Sequence, residues 1–181
     1  MRRLVLVSGM PGAGKTSLAR PLARRLGFTL VCKDELKETL FDHLPAPAGL
    51  DHHAWSRQLG GAAMELLWRM AAEAPAAVLE ANYRPRSAYE RAKLVALDAA
   101  AVEVHCRCPT LTALARYNAR GPTPARHAVH GLAFIDPAGA AAFEAEFAGP
   151  IGLFALIEVD TTAPIDLEAL AADIERRFAV A

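Results

Sequence analysis

The sequence lacks most of the features that would place it outside a reducing, aqueous compartment. Its three cysteines are an odd count with no paired spacing, which speaks against a disulfide framework. Cys106 and Cys108 flank one residue, not the two of a common zinc site, and no fourth ligand is placed to join them and Cys32. Small buried side chains are the expectation there. No apolar stretch reaches about 18 residues without a charge, so no membrane span is expected. Met1-Arg2-Arg3 runs straight into Leu4–Val7, too short for a secretory leader, and glycines follow where a cleavage site would stand. A cytoplasmic protein is the expectation. Excess charge is missing too: 20 Lys and Arg balance 20 Asp and Glu. Bulk charge therefore gives no support to a long nucleic acid or an anionic membrane as partner. There is no internal repeat.

What is present describes a folded chain. At 181 residues, 53% hydrophobic and 22% charged, it can bury one domain's core and is no disordered segment. Residues 1–33 hold no acid, and residues 136–175 hold no Lys or Arg. Short β-branched or apolar runs predict strands at Leu4–Ser8, Phe28–Cys32, Ala77–Ala81, Val102–Cys106 and Leu153–Val159. Between them, helical spacing predicts helices over Lys15–Leu26, Asp34–Phe41, Asp51–Glu73, Ser87–Ala100, from Pro109, over Pro137–Phe147 and over Asp166–Phe178. Pro21 predicts a kink or a local water in the first helix. The Gly60-Gly61 pair predicts a weak middle in the third. Gly121–His130 reads as a polar loop or lid. Alternation of strand and helix predicts a single α/β domain: a five-stranded parallel sheet with helices on both faces, ligands meeting it at the carboxyl ends of its strands.

One motif is specific. Gly9-Met10-Pro11-Gly12-Ala13-Gly14-Lys15-Thr16 matches G-x-x-x-x-G-K-[ST] completely, between a predicted strand and a predicted helix. Its glycines let backbone N–H groups converge on phosphate oxygens, and the helix that follows adds its positive end. Lys15 is placed for the β- and γ-phosphates, the Thr16 hydroxyl for Mg²⁺, and Ser17 for the same loop. No Asn-Lys-x-Asp tetrad follows a later strand, so ATP is expected over GTP.

The chain also resembles a family. The stretches "GMPGAGKTS", "LVCKDELKETLF", "VLEANYRPRSAYERAKL", "RYNARGPTPARHAVH" and "VDTT" are together similar to small P-loop kinases, in the branch of chloramphenicol phosphotransferase, zeta toxins and polynucleotide 5′-kinases. The resemblance spans Leu4 to about Phe178. It implies a three-layer P-loop NTPase sandwich with a short lid, over about residues 116–136, and an acceptor-binding helical region over about residues 42–73. It implies that Asp34 takes the proton of the acceptor hydroxyl and stands close to Mg²⁺, a task suited to a carboxylate within hydrogen-bond reach. An Asp there also suits a helix N-cap. Lys37 stands where many relatives carry Arg, giving a point charge in place of a bidentate fork. Glu80 and Asn82 are expected near Mg²⁺ or the acceptor, with Tyr83, Arg84 and Arg86 along the acceptor pocket. Arg116, Arg120 and Arg126 are expected to reach ATP, with Arg120 and Arg126 on the transferred phosphoryl group. Asp160 and Thr161 are expected to shape the adenine pocket.

The reading of the whole chain is an ATP- and Mg²⁺-dependent kinase acting on a small-molecule hydroxyl, as a monomer or homodimer. Leu44, Leu50, Trp55, Leu59 and Met64, with His43, Asp51 and His52, are the expected wall of the acceptor pocket. Two other readings remain open from residues alone. One is a nucleotide, nucleoside or polynucleotide 5′-kinase; the other is an ATP-binding regulatory protein without kinase activity.

Overall fold

A computed structural model describes residues 1–121, 123, 126–131 and 134–179. Parts of the expected lid, residues 122, 124, 125, 132 and 133, lie outside the described residues. Five parallel strands, β1 (Arg3–Ser8), β2 (Thr29–Cys32), β3 (Ala76–Glu80), β4 (Ala100–Arg107) and β5 (Ala155–Asp160), pair in the order β2-β3-β1-β4-β5. The helices are α1 (Lys15–Leu26), α2 (Lys33–His43), α3 (His52–Glu73), α4 (Ala88–Ala96), α5 (Thr110–Arg120), α6 (Ala140–Phe147) and α7 (Leu167–Ala179).

Side-chain alternation along β1 explains the layers. Val5 and Val7 face one way, onto Leu18 and Leu22 of α1, Leu114 of α5 and Ile174 of α7. Leu4 and Leu6 face the other way, into a core with Leu67 and Trp68 of α3 and Leu94 of α4. A strand covered on both faces needs the unbroken apolar run that β1 has. Each such side chain, fully buried, contributes about 1.5–3 kcal/mol. The strand order turns about β1, with β3 on one side and β4 on the other. This opens a crevice at the carboxyl end of β1, where the glycine-rich loop leaves the sheet.

The elements match the expected ones, with instructive differences at their ends. α4 stops at Ala96, short of the expected Ala100. Asp98 takes a positive φ of 46°, and the Ala100 N–H already pairs with the Arg2 carbonyl beside β1. α1 runs unbroken through Pro21. Ser17 and Pro21 border an open cleft, so the carbonyl that loses its helical donor lies on the solvent side. α3 is likewise continuous through Gly60-Gly61. Asp34 does not cap its helix: α2 begins at Lys33 with Cys32 in the cap position and no side-chain cap bond.

A buried polar network beside the crevice was not foreseen. Glu103 is fully buried on β4. It accepts hydrogen bonds from the Ser8 hydroxyl (2.6 Å) and from the Ile151 and Gly152 N–H groups (2.8 and 3.0 Å). Ser8 also meets His105 Nδ1 at 2.9 Å. Burial holds the His105 imidazole below its ordinary pKa, against the pull of Glu103. One carboxylate thus ties the end of β1 to the entry into β5. Glu103→Ala should destabilise the fold by about 3 kcal/mol, because it strands two buried donors, Ser8 and Ile151, and frees the Gly152 amide. Urea unfolding checks this, and Glu103→Gln should lose less.

Candidate active site

The glycine-rich loop closes over the end of β1. Gly14 is the N-cap of α1 in the left-handed region (φ 83°), and no side chain caps the helix. No acidic residue occupies its first turn. The first amides of α1 are therefore available to an anion. Gly12 is required by contact: a Cβ there would lie 2.1 Å from the Ala113 carbonyl oxygen of α5. Lys15 is 5% exposed and donates to the Met10 carbonyl (2.8 Å), lying back across the loop. Gly9 and Ala13 supply the buried backbone beneath. Uncapped amides, a buried lysine and no competing acid in that turn make a cradle that fits a polyphosphate.

Glu80 ends β3 opposite this loop and is nearly fully buried. It accepts from the Thr16 hydroxyl (3.3 Å) and the Cys32 thiol (2.7 Å). Burial raises the Glu80 pKa while the charge of Lys15 opposes the rise. Burial lowers Lys15, and Glu80 is the largest opposing charge. The Cys32 thiol is pushed far above its usual range by burial and by Glu80, and burial pushes Cys106 up to about 12. Both are protonated, unreactive thiols at neutral pH. The carboxylate that meets Thr16 is therefore Glu80, and a cation on Thr16 would lie against it. Among the described residues, no group of three His, Cys, Asp or Glu side chains could hold a metal alone. The donor set fits a cation that takes most of its ligands from phosphates and water.

Asp34 opens into the same cleft, its side chain 40% exposed and 3.0 Å from Lys33 Nζ. Burial alone would raise its pKa. The charges of Lys33, His130 and Lys15, with the Lys33 hydrogen bond, outweigh burial and hold it below the ordinary carboxylate value. It is an ionised acceptor at neutral pH. Lys37, one turn on, is 8% exposed and donates to the Ser56 hydroxyl (2.7 Å). Burial, then Lys33 and Arg126, bring Lys37 down to about 8.

One cleft of about 730 Å³ collects Pro11, Gly12, Gly14, Lys15, Thr16, Ser17, Asp34, Lys37, Glu80, Asn82, Arg120 and Arg126. A second, of about 750 Å³, shares Gly12, Gly14, Ser17 and Arg120 with it and adds Arg116, Thr161, Pro21, Ile165 and Leu167. Arg116 donates to the Thr161 carbonyl (3.2 Å). The expected arginines therefore separate. Arg116 faces the second cleft and Arg120 spans both. Arg126 is held on the far side by the Gly131 and His130 carbonyls and the Tyr117 hydroxyl, with its guanidinium 4.7 Å above the Tyr117 ring.

The remaining expectations need correction. Tyr83 is buried in the core against Trp68, not in the pocket. Arg84 does not line the cleft; it pairs with Glu146 (2.8 Å), which does, and with Glu90 (3.6 Å), and Arg86 bonds the Ala145 carbonyl. Residues 42–73 do not line the cleft, because α3 packs against α2, where Ser56 and Gly60 meet the Lys33 and Lys37 side chains. Leu59, expected on the wall, is in the buried core. The wall is instead α2 itself together with Tyr117, Ile135, Phe143, Glu146 and Phe147. Phe143, Phe147, Lys33 and Glu38 were not among the expected site residues. No local motif marks any of them. His127 and His130 bond Asp42 (3.1 Å) and Glu38 (2.8 Å), pinning the segment after α5 onto α2.

A family model described as an AAA domain matches residues 4–133, which is well over half of the chain. The chain belongs to the AAA domain family. No curated protein matches it. Among solved structures, this AAA domain is similar to a candidate kinase from Chloroflexus aurantiacus, at 28% identity and a TM-score of 0.83, covering 97% of this chain and 98% of that one. It shares its fold with a gluconokinase from Sinorhizobium meliloti (17%, TM-score 0.56, 99% and 94% covered). The same holds for a shikimate kinase from Acinetobacter baumannii, solved with shikimate (17%, TM-score 0.58, 99% and 94% covered). Among the described residues of this AAA domain, no helix is long and apolar enough to cross a membrane.

The lowered pKa of Lys37 is directly measurable. After reductive ¹³C-methylation its NMR resonance should titrate near pH 8, while exposed lysines titrate at about 10.4. Between those values the unfolded chain binds the extra proton, so stability should rise with pH across that window. Lys37→Met should reduce this rise in unfolding experiments run from pH 7 to 11, leaving the part that the lowered Lys15 contributes.

Proposed function

We propose that the protein is an ATP-dependent kinase that moves the γ-phosphoryl group of ATP to a hydroxyl of a small molecule. One observation carries the reading. A single cleft holds the uncapped end of α1 with Lys15 on one side and an ionised Asp34, in the first turn of α2 just after β2, on the other. The similarity to a candidate kinase over nearly the whole chain supports it. So do the gluconokinase and shikimate kinase, named for small hydroxyl-bearing molecules. The motifs favour the branch of chloramphenicol phosphotransferase, zeta toxins and polynucleotide 5′-kinases.

In this reading the loop amides and Lys15 hold the β- and γ-phosphates. The apolar second cleft beside Arg116 and Thr161 takes the nucleoside. Asp34 accepts the acceptor's O–H, which aims the oxygen at the γ-phosphorus; as the new P–O bond forms and the bond to ADP breaks, the proton passes to Asp34. Lys15 and Arg120 face the charge that spreads over the transferred group. Asn82 is placed to orient the acceptor. Thr16 and Asp34, with Glu80 behind Thr16, are the residues that would hold Mg²⁺, which when bound supplies charge neutralisation on the phosphates. The segment from the end of α5 to residue 136 would close over the cleft as a lid.

Asp34→Asn should lower acceptor-stimulated ADP release by 10²–10⁴-fold, while ATP affinity stays within about threefold. The check is a screen of sugars, cyclitols, nucleosides, nucleotides and antibiotics with coupled ADP detection, plus calorimetric ATP titration. ATP turnover indifferent both to this change and to every acceptor would mark a nucleotide-binding regulator instead. Dependence on polynucleotide ends would mark a 5′-end kinase.

A further inference from the structure

We propose that Lys33, Lys37 and Arg126 form an anion subsite on the acceptor side of the cleft, so that the acceptor is a hydroxyl compound bearing a carboxylate or phosphate group. The word acceptor rests on the kinase reading above; the subsite itself does not.

The starting observation is a buried cation with no carboxylate in hydrogen-bond contact among the described residues. The Lys37 ammonium is 8% exposed, and its one hydrogen bond among the described residues goes to the neutral Ser56 hydroxyl. Ser56 spends its own proton on the Val129 carbonyl (2.7 Å), so its oxygen is fixed as an acceptor. The acids nearby have other partners: Asp34 pairs with Lys33 and Glu38 with His130. Arg126 bonds through Nε and Nη2 to carbonyls and the Tyr117 hydroxyl, none of them charged. Lys33 and Arg126 both press down the pKa of Lys37, against the charges of Asp34 and Glu38, so the three cations act on one region. A buried ammonium with no carboxylate bonded to it is costly, and a ligand anion in contact with it would relieve that cost.

The second observation is Gly60. It sits in mid-helix, where glycine weakens a helix. A Cβ on it would point between the lysines, 3.9 Å from Lys33 Nζ and 3.9 Å from Lys37 Cε. A larger side chain would fill the space where they converge. The ATP end of the cleft has its own cations, since Arg120 acts on Lys15. The Lys33–Lys37–Arg126 group lies beyond Asp34, where an acceptor whose hydroxyl meets Asp34 would extend.

The test uses the full chain saturated with Mg²⁺ and a non-hydrolysable ATP analogue, so that the phosphate loop is filled. Inorganic phosphate and acetate are titrated separately by calorimetry at pH 8, in two buffers of different ionisation enthalpy. We expect one of them to bind with proton uptake, the better ligand naming the anion class. Lys37→Met and Gly60→Leu should each weaken binding at least tenfold, and Lys37→Arg should retain it. Gly60→Leu favours the helix and controls for misfolding of Lys37→Met. No binding of either anion, or binding unchanged in both variants, overturns the subsite. Matched pairs then test the acceptor by ADP release: glycerol 3-phosphate against glycerol, gluconate against glucose. Stimulation by the anionic member, with KM in Lys37→Met raised at least tenfold and far more than kcat falls, supports the proposal. Stimulation by the neutral members alone overturns it and leaves the kinase standing. Silence from every acceptor removes the kinase reading, and the calorimetry still decides the subsite.

Discussion

A buried ammonium and a buried carboxylate at the mouths of two adjacent strands organise this cleft. Lys15 and Glu80 are each almost sealed from water, and each moderates the desolvation of the other. Their proximity follows from register: Val7 of β1 lies beside Glu80 of β3. The loop that carries Lys15 therefore leaves the sheet just beyond the residue that ends β3. Thr16 and Cys32 both donate to Glu80, so the start of α1 and the end of β2 are tied to the same carboxylate. Asp34 follows Cys32 by two residues. The parallel pairing of β2, β3 and β1 thus delivers the loop, Glu80 and Asp34 to one place.

Polar burial of this kind is used twice. Glu103 on β4 does for the β5 side what Glu80 does for the β2 side, collecting donors from segments far apart in sequence. The two differ in exposure to the cleft. Glu80 lines it, whereas Glu103 is enclosed and satisfied by Ser8 and two backbone amides. One carboxylate is available to chemistry and the other holds the scaffold on which the chemistry rests.

The strands and the phosphate loop were legible because their causes are local. β1 needs a run of apolar residues, and the loop needs its glycines and lysine at fixed spacing. Asp34 was legible because it follows a strand end at a recognisable distance. The far wall was not. Phe143, Phe147 and Ile135 reach the cleft through the packing of α6 and the segment before it, and their spacing is that of any amphipathic helix. Tyr83 and Arg84 misled for the same reason in reverse. They follow a strand end, but Tyr83 fits the core beside Trp68, and Arg84 is taken up in ion pairs with Glu90 and Glu146. The role of Gly60 needed three dimensions altogether: one helix reads as weakened until the neighbouring helix's lysines are seen against it.

The contact between Gly12 and the Ala113 carbonyl constrains motion as well as sequence. With no side chain between them, the phosphate loop and α5 are in direct backbone contact, and α5 is anchored as part of the floor. Arg116 and Arg120 of the same helix are thereby set at a defined offset from the loop, where the two clefts meet it. A side chain at position 12 would push α5, and both of its arginines, away from the loop.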